Sequence, residues 1–106
     1  MEGDYRLGRS EEVVLRALLG LGGDAYAVPI RREIEERTGR NVSYGALYTT
    51  LDRLVRKGYV LPRMGNPTPE RGGRAKRYFR IAAPGIEALN RSREILARMG
   101  GFVHVG

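Results

Sequence analysis

The side chains in this sequence that could do chemistry are overwhelmingly guanidinium groups: 17 Arg stand beside only two Lys, Lys57 and Lys76. A guanidinium is a planar fork of donors that meets phosphate oxygens or a guanine edge in pairs, whereas an ammonium acts as a point charge. With 19 Lys and Arg against 12 Asp and Glu, the formal net charge is +7 and the isoelectric point is near 10.4. That balance suits a polyanionic partner, either nucleic acid or an acidic membrane surface. Nucleophilic and metal chemistry are poorly supplied. There is no Cys, and the one His, His104, sits among the last residues without a nucleophile and acid beside it. No phosphate-binding loop of the Gly-rich, Lys-terminated kind occurs. The acids mostly alternate with Arg, as on solvated helix faces. No catalytic residue, metal site or cofactor is expected.

Two stretches must position the cations. The first is residues 43–58, SYGALYTTLDRLVRKG. Ser43 is suited to cap a helix with its hydroxyl, and Gly58 to end one in the left-handed conformation. On a helical wheel centred on Leu51, Tyr44, Leu47, Leu54 and Val55 fall on the inner side, with Tyr48 at its edge. Gly45, Ala46, Thr49, Arg53, Arg56 and Lys57 fall opposite. An ordinary amphipathic surface helix has the same pattern. Small residues also let a helix approach a groove closely, and Arg53 can then reach a base edge or phosphate. Ala46 and Thr49 would touch thymine methyls. Ser43, with the amides that follow it, would hold a phosphate. Tyr48 would donate its hydroxyl to the backbone or else belong to the core.

The second stretch changes period. Residues 59–64 open a strand, in which Pro62 demands an edge or irregular position. GNPTPERGG makes a long turn, and RAKRYFRI alternates as a returning strand, with Tyr78 on one side and Phe79 on the other. Between Arg63 and Arg80 lie six cations and one acid, Glu70, so most of the net charge sits on or beside this hairpin. Arg74, Lys76 and Arg77 are its expected contacts to phosphates or a minor groove. Arg56 and Lys57 read as peripheral phosphate contacts or solvated charge.

The remaining elements frame these two. Residues 1–9 read as an arm. Ser10 is expected to cap a first helix running to about residue 20 or 21, with Glu11 and Glu12 favourable in its first turn. Its interior, VVLRALLGL, is apolar almost all round, which implies cover on more than one side, by its own domain and by a second subunit. After the turn at Gly22, Gly23 and Asp24, residues 25–28 read as extended and a second helix as 29–38, stopped by Gly39. Two short helices joined by a tight turn fit a helix-turn-helix. A last helix starts at Pro84 and reaches about Met99, with Ile86, Leu89, Leu96 and Met99 as an apolar stripe. Its pairing with a second copy, together with Leu15 and Leu19 of the first helix, is the expected dimer interface. The tail, FVHVG, is read as loose or as tucking Phe102 and Val103 into that interface. No run approaches the roughly 18 apolar residues of a membrane span, and the N-terminus lacks a signal-peptide pattern, so a cytoplasmic protein is expected.

These blocks resemble the PadR family of bacterial winged-helix transcriptional regulators. VVLRALLGL followed by AYAVPI is similar to the family's first helix and its aromatic turn. SYGALYTTLDRLVRKGYV resembles the recognition-helix block. GGRAKRYFRIAAPG resembles the wing strand and its entry into the last helix. Tyr44 and Thr49 stand where proline is frequent in the family, Ala27 where glycine is frequent, and Ala82 where a capping Thr is usual. The resemblance implies a homodimer on a pseudo-palindromic operator, with one recognition helix per subunit in successive major grooves, about 34 Å apart. Some family members release DNA when an aromatic or drug-like molecule enters the dimer interface. A small-molecule effector there is thus a further implication, although the absence of Trp and the short last helix speak against a large aromatic sandwich.

The expectation is therefore a mainly α chain with a small β-hairpin, a winged helix-turn-helix plus a C-terminal dimerisation helix. Its parts are an arm at 1–9, a DNA-binding domain at 10–82, a dimerisation helix at 83–99 and a tail at 100–106. The expected function is a sequence-specific regulator, a repressor, binding double-stranded DNA through Ser43, Tyr44, Ala46, Tyr48, Thr49, Arg53, Arg74, Lys76 and Arg77. The competing reading is a winged-helix module for protein contact or dimerisation that does not bind DNA.

Overall fold

The computed structural model describes residues 7–65 and 76–100. Its elements are α1 (Arg9–Leu21), α2 (Ala27–Thr38), α3 (Tyr44–Arg56), β1 (Val60–Met64), β2 (Arg77–Ile81) and α4 (Ala83–Arg98). This is a winged helix: three helices, an antiparallel hairpin, and a fourth helix. Arg74 and the tail beyond Gly100 lie outside the described residues.

The first helix begins two residues earlier than its sequence suggests. Gly8, not Ser10, is the extended N-cap, and its N–H donates to Glu11 Oε1 at 2.9 Å. Ser10 sits inside the first turn because Glu11, three residues past Gly8, can reach back to that free amide. α1 then packs against α2, α3, α4 and β2. Its own domain therefore covers most of it: Val14, Leu15, Ala17 and Leu18 are buried, and among its large apolar residues Leu19 and Leu21 stay exposed.

α2 also starts early, at Ala27, and Ala25–Val28 is not an extended run. Pro29 is the third helical residue, where its missing N–H is one that no helical carbonyl would have received. Ala27, Ile30 and Ile34 are buried. Of the expected extended piece only Ala25 is bridged: it exchanges both backbone hydrogen bonds with Phe79, at 2.8 and 2.9 Å. β2 thus lies between Ala25 and β1, and β1 is the edge. Pro62 pairs with Phe79, whose N–H and carbonyl both point away towards Ala25. No donor is therefore missed at Pro62, as an edge position allows.

α3 is bounded as its sequence suggests. Ser43 Oγ accepts from the Ala46 N–H at 3.1 Å. At the far end Gly58 has φ 79°, with Gly58 N–H bonded to Val55 O and Tyr59 N–H to Leu54 O, each at 3.0 Å. That double bond closes the helix and needs a left-handed residue, which glycine adopts without strain. The turn before α3 is held by Arg31, whose Nε donates to Val42 O at 2.6 Å.

α4 opens at Ala82 without a side-chain cap, with Pro84 in its first turn. Gly85 lies directly against the Tyr59 carbonyl oxygen, to which Ala82 N–H donates at 2.9 Å; an added Cβ would also stand 3.0 Å from Ile81 Cγ1. The core of Leu15, Leu18, Ile30, Leu47, Leu51, Leu54, Val60 and Phe79 is fully buried beneath these contacts. At about 100° per residue, Gly85, Ala88, Leu89, Ser92, Leu96 and Met99 share one side of α4. The core covers that side only as far as Leu89; Ile95, Leu96 and Met99 are exposed, the last at 80%.

Candidate nucleic-acid interface

α3 buries Leu47, Thr50, Leu51 and Leu54. One assignment on this helix needs correction. Tyr44, placed on the inner side of the wheel, is exposed, with the Arg31 guanidinium of α2 4.9 Å from its ring centroid. Thr50 takes the inner position instead, its hydroxyl satisfied by donating to Ala46 O at 3.0 Å.

Opposite the buried side runs a strip of Gly45, Thr49, Asp52 and Arg56, spaced i, i+4, i+7 and i+11. Gly45, Thr49 and Arg56 are exposed and Asp52 half-exposed, with the Thr49 hydroxyl donating to Gly45 O at 2.9 Å. Tyr48 flanks the strip on one side and Arg53 on the other, both exposed. Ser43 is exposed at the helix start, and the first-turn amides of Tyr44 and Gly45 have no helical acceptor. Ala46 is exposed but sits about a quarter turn round from the strip. It borders a cleft of about 490 Å³ that also touches Val13, Ile34, Asn41 and Thr50. Arg53 leans towards the start of α1, where it shares a shallow recess with Arg9, Ser10 and Lys57.

The electrostatics of that recess are set by Glu11, which is only 3% exposed. Lys57 Nζ lies 2.9 Å from Glu11 Oε2 and 3.0 Å from Oε1. Burial pushes the Glu11 carboxyl up, but the Gly8 N–H, the Lys57 ammonium and the Arg53 charge together outweigh it and hold the carboxyl below its usual 4.5. Lys57 is therefore an internal partner tying α3 to α1, and not simply a solvated charge.

The wing root is an assembly of cations on rings. Tyr26 and Tyr78 meet edge to face at 5.7 Å. Lys76 Nζ stands 5.0 Å from the Tyr26 centroid and Arg63 Cζ 4.9 Å from that of Tyr78, while Arg63 Nε donates to Asp24 Oδ2 at 2.8 Å. Lys76 is exposed there. Arg77, expected as a phosphate contact, also has partners within the protein. It shares the inward side of β2 with the buried Phe79, two residues on, so its guanidinium runs over that ring at 5.0 Å. From there Nη1 reaches Asp52 Oδ1 on α3 at 3.1 Å. The pair lies at the surface, with Arg77 40% and Asp52 46% exposed in their side chains.

The expected dimer residues divide. Leu15 is completely buried and Leu89 nearly so within the single chain, so neither has surface to offer a second copy. Both are consumed by the core that α1 and α4 share. Leu19, Ile86, Leu96 and Met99 are exposed. Sequence reasoning missed Asp52, Arg9 and Tyr26 as neighbours of the interface. Only Asp52 carried a signal, as the single acid in residues 43–58.

No helix among the described residues is long and apolar enough to cross a membrane. The sequence matches none of the curated proteins. Among solved structures, a complex of the H. salinarum protein RosR is 30% identical, covering 92% of this chain and 80% of that one with a TM-score of 0.66. A transcriptional regulator from Clostridium thermocellum is 24% identical over 86% of this chain and 82% of its own, with a TM-score of 0.70. A PadR family transcription regulator from Clostridium difficile, 19% identical over 88% and 92%, superposes with a TM-score of 0.71. The family model described as the transcriptional regulator PadR-like family matches residues 14–91, from the middle of α1 well into α4. With the winged-helix architecture and the uncovered cationic helix already in view, that match identifies the chain as a DNA-binding transcriptional regulator, and it belongs to the PadR-like family.

Proposed function

We propose that this protein is a homodimeric repressor of a pseudo-palindromic operator, with α3 of each subunit in a major groove and the wing on the backbone or minor groove. The observation that carries the reading is the bare strip of α3. Gly45, Thr49 and Arg56 face away from every other element, with Arg53 and Tyr48 on either side. A helix N-terminus with a free hydroxyl proton at Ser43 and two unpaired amides supports a phosphate contact at the groove edge. Tyr44, Ala46 and Thr49 present small or flat surfaces to bases, and Arg53 a forked donor. Lys76, with Arg74 beside it in sequence, serves the backbone on the wing side.

The dimer follows from α4. Its inward side continues past the core as Leu96 and Met99 with Ile95 close by, all exposed in the single chain. Covering that continuation with the same helix of a second copy makes an isologous contact, and Leu19 of α1 and Ile86 of α4 are exposed as well. Residues 10–82 then form the DNA-binding unit and 83–99 the dimerisation helix, with 1–9 an arm and 100–106 a tail. Repression by exclusion is the simplest action of a dimer that covers its site.

Selection from a random duplex library tests the reading. The expected product is a palindrome with half-sites centred one helical turn apart, about 34 Å. Arg53→Ala should relax preference at particular positions. Lys76→Ala should weaken all sequences alike and lower the slope of log K against log salt by about one. Enrichment of no sequence, with both variants binding as the parent does, would remove the proposal.

A further inference from the structure

We propose that Asp52 is a base-reading residue, selecting a cytosine in each half-site by accepting a hydrogen bond from its exocyclic amine, with Arg77 holding the carboxylate for that task. The inference rests on the proposed entry of α3 into the major groove. Asp52 is the only acid on α3 and lies on the outward strip, one turn beyond Thr49 and one turn before Arg56. An ionised carboxylate only accepts hydrogen bonds. In the major groove the base-edge donors are the amines of cytosine and adenine. Adenine sets its N7 acceptor beside its amine, which repels a carboxylate, whereas the neighbour of the cytosine amine is a C–H. The carboxylate therefore discriminates for cytosine.

A bare carboxylate would be a liability in a groove lined by phosphates. The structure answers this with a partner from the wing. Arg56, four residues on, is the nearer helical candidate, yet Asp52 Oδ1 is bonded to Arg77 Nη1 at 3.1 Å. Arg77 is itself fixed by stacking over Phe79, which is fully buried. The pair is neutral as a unit, and it leaves Arg56 unspent. Asp52 Oδ2 has no hydrogen-bond partner among the described residues, so one acceptor oxygen remains for a base. A side chain held by a rigid neighbour loses less freedom on binding than a free one.

The test is library selection and single-position competition with the full chain and three variants. Asp52→Ala should erase the cytosine preference at one symmetry-related position, a change of about 5- to 150-fold, with the ranking elsewhere kept. Asp52→Asn, nearly isosteric, should move that preference to adenine, whose N6 and N7 an amide matches in pairs. Arg77→Met, which keeps the stack on Phe79 but frees the carboxylate from its counter-charge, should weaken every sequence while cytosine stays preferred. If Asp52→Ala and Asp52→Asn alter all sequences by one common factor, Asp52 is only a clamp between helix and wing, and the inference is overturned alone. A parent protein that prefers no sequence overturns the operator reading and takes this inference with it.

Discussion

Removing the charge of Glu11 probes the strongest electrostatic tie in the domain. In Glu11→Gln the side-chain oxygen can still accept from Gly8 N–H, so the helix start survives, but an amide N–H₂ group then faces the Lys57 ammonium. Lys57 must swing out to water. Breaking a fully buried ion pair costs about 3–5 kcal/mol, and a hydrogen bond to a charged group contributes about 1.5–3 kcal/mol. Glu11 is 4% exposed in its side chain but Lys57 is 30% exposed, so water recovers part of the loss. The expected destabilisation at pH 7 is about 1–2 kcal/mol, lowering Tm by roughly 5–12 °C for a domain of this size.

The pH dependence separates this charge effect from a packing effect. The Glu11 carboxyl is held below its usual 4.5 in the folded protein. Its contribution to stability is thus present in full above about pH 4.5 and is lost as pH falls through the lower folded value. Urea unfolding of parent and variant between pH 7 and pH 2.5 should give a constant gap down to about pH 4.5 and then converging curves. A gap under about 0.3 kcal/mol at neutral pH, or one that persists undiminished at the acid end, would falsify the reasoning.

Gly85→Ala should destabilise the domain by about 1–3 kcal/mol in chemical denaturation, since the new methyl meets the Tyr59 carbonyl oxygen and Ile81 and strains the Ala82–Tyr59 hydrogen bond; a neutral result would mean that α4 is free to shift. Leu96→Asp combined with Met99→Asp should convert the proposed dimer to a folded monomer in sedimentation, because neither side chain is covered by the described residues of its own chain; an unchanged sedimentation coefficient would refute α4 as a dimer contact.

What could be read from the sequence was what local rules decide. Ser43 and Gly58 bound α3 because a hydroxyl cap and a left-handed stop act within a few residues of themselves. Pro62 marked the edge strand for the same reason, by what its own nitrogen lacks. The start of α1 was misplaced where two local rules competed: Ser10 is a good cap, but the reach of Glu11 to the Gly8 amide prevails. A wheel centred on Leu51 puts Tyr44 inside and leaves Thr50 unplaced because it fixes the core direction from one residue, while the buried face of Leu47, Thr50, Leu51 and Leu54 is turned towards Thr50.

The long-range ion pairs beside the candidate interface were out of reach in principle. Asp52 meets Arg77 across 25 residues and Lys57 meets Glu11 across 46, and nothing in the segment around any of the four names its partner. Only the hairpin register brings Arg77 and Phe79 to the side of β2 that faces α3. Only the packing of α1 across α3 closes Glu11 off from water. The same geometry argues that recognition in this domain depends on charge that is left over after internal pairing. Lys57 and Arg77 each share their charge with an acid of the same chain, so counting cations overstates the charge offered to DNA. Arg53, Arg56 and Lys76 remain exposed, beside one acid that a groove-entering helix retains only with a neutralising partner. A salt slope measured on the parent protein should therefore report far fewer phosphate contacts than its 19 Lys and Arg suggest, and Arg77→Met should leave that slope nearly unchanged even as affinity falls.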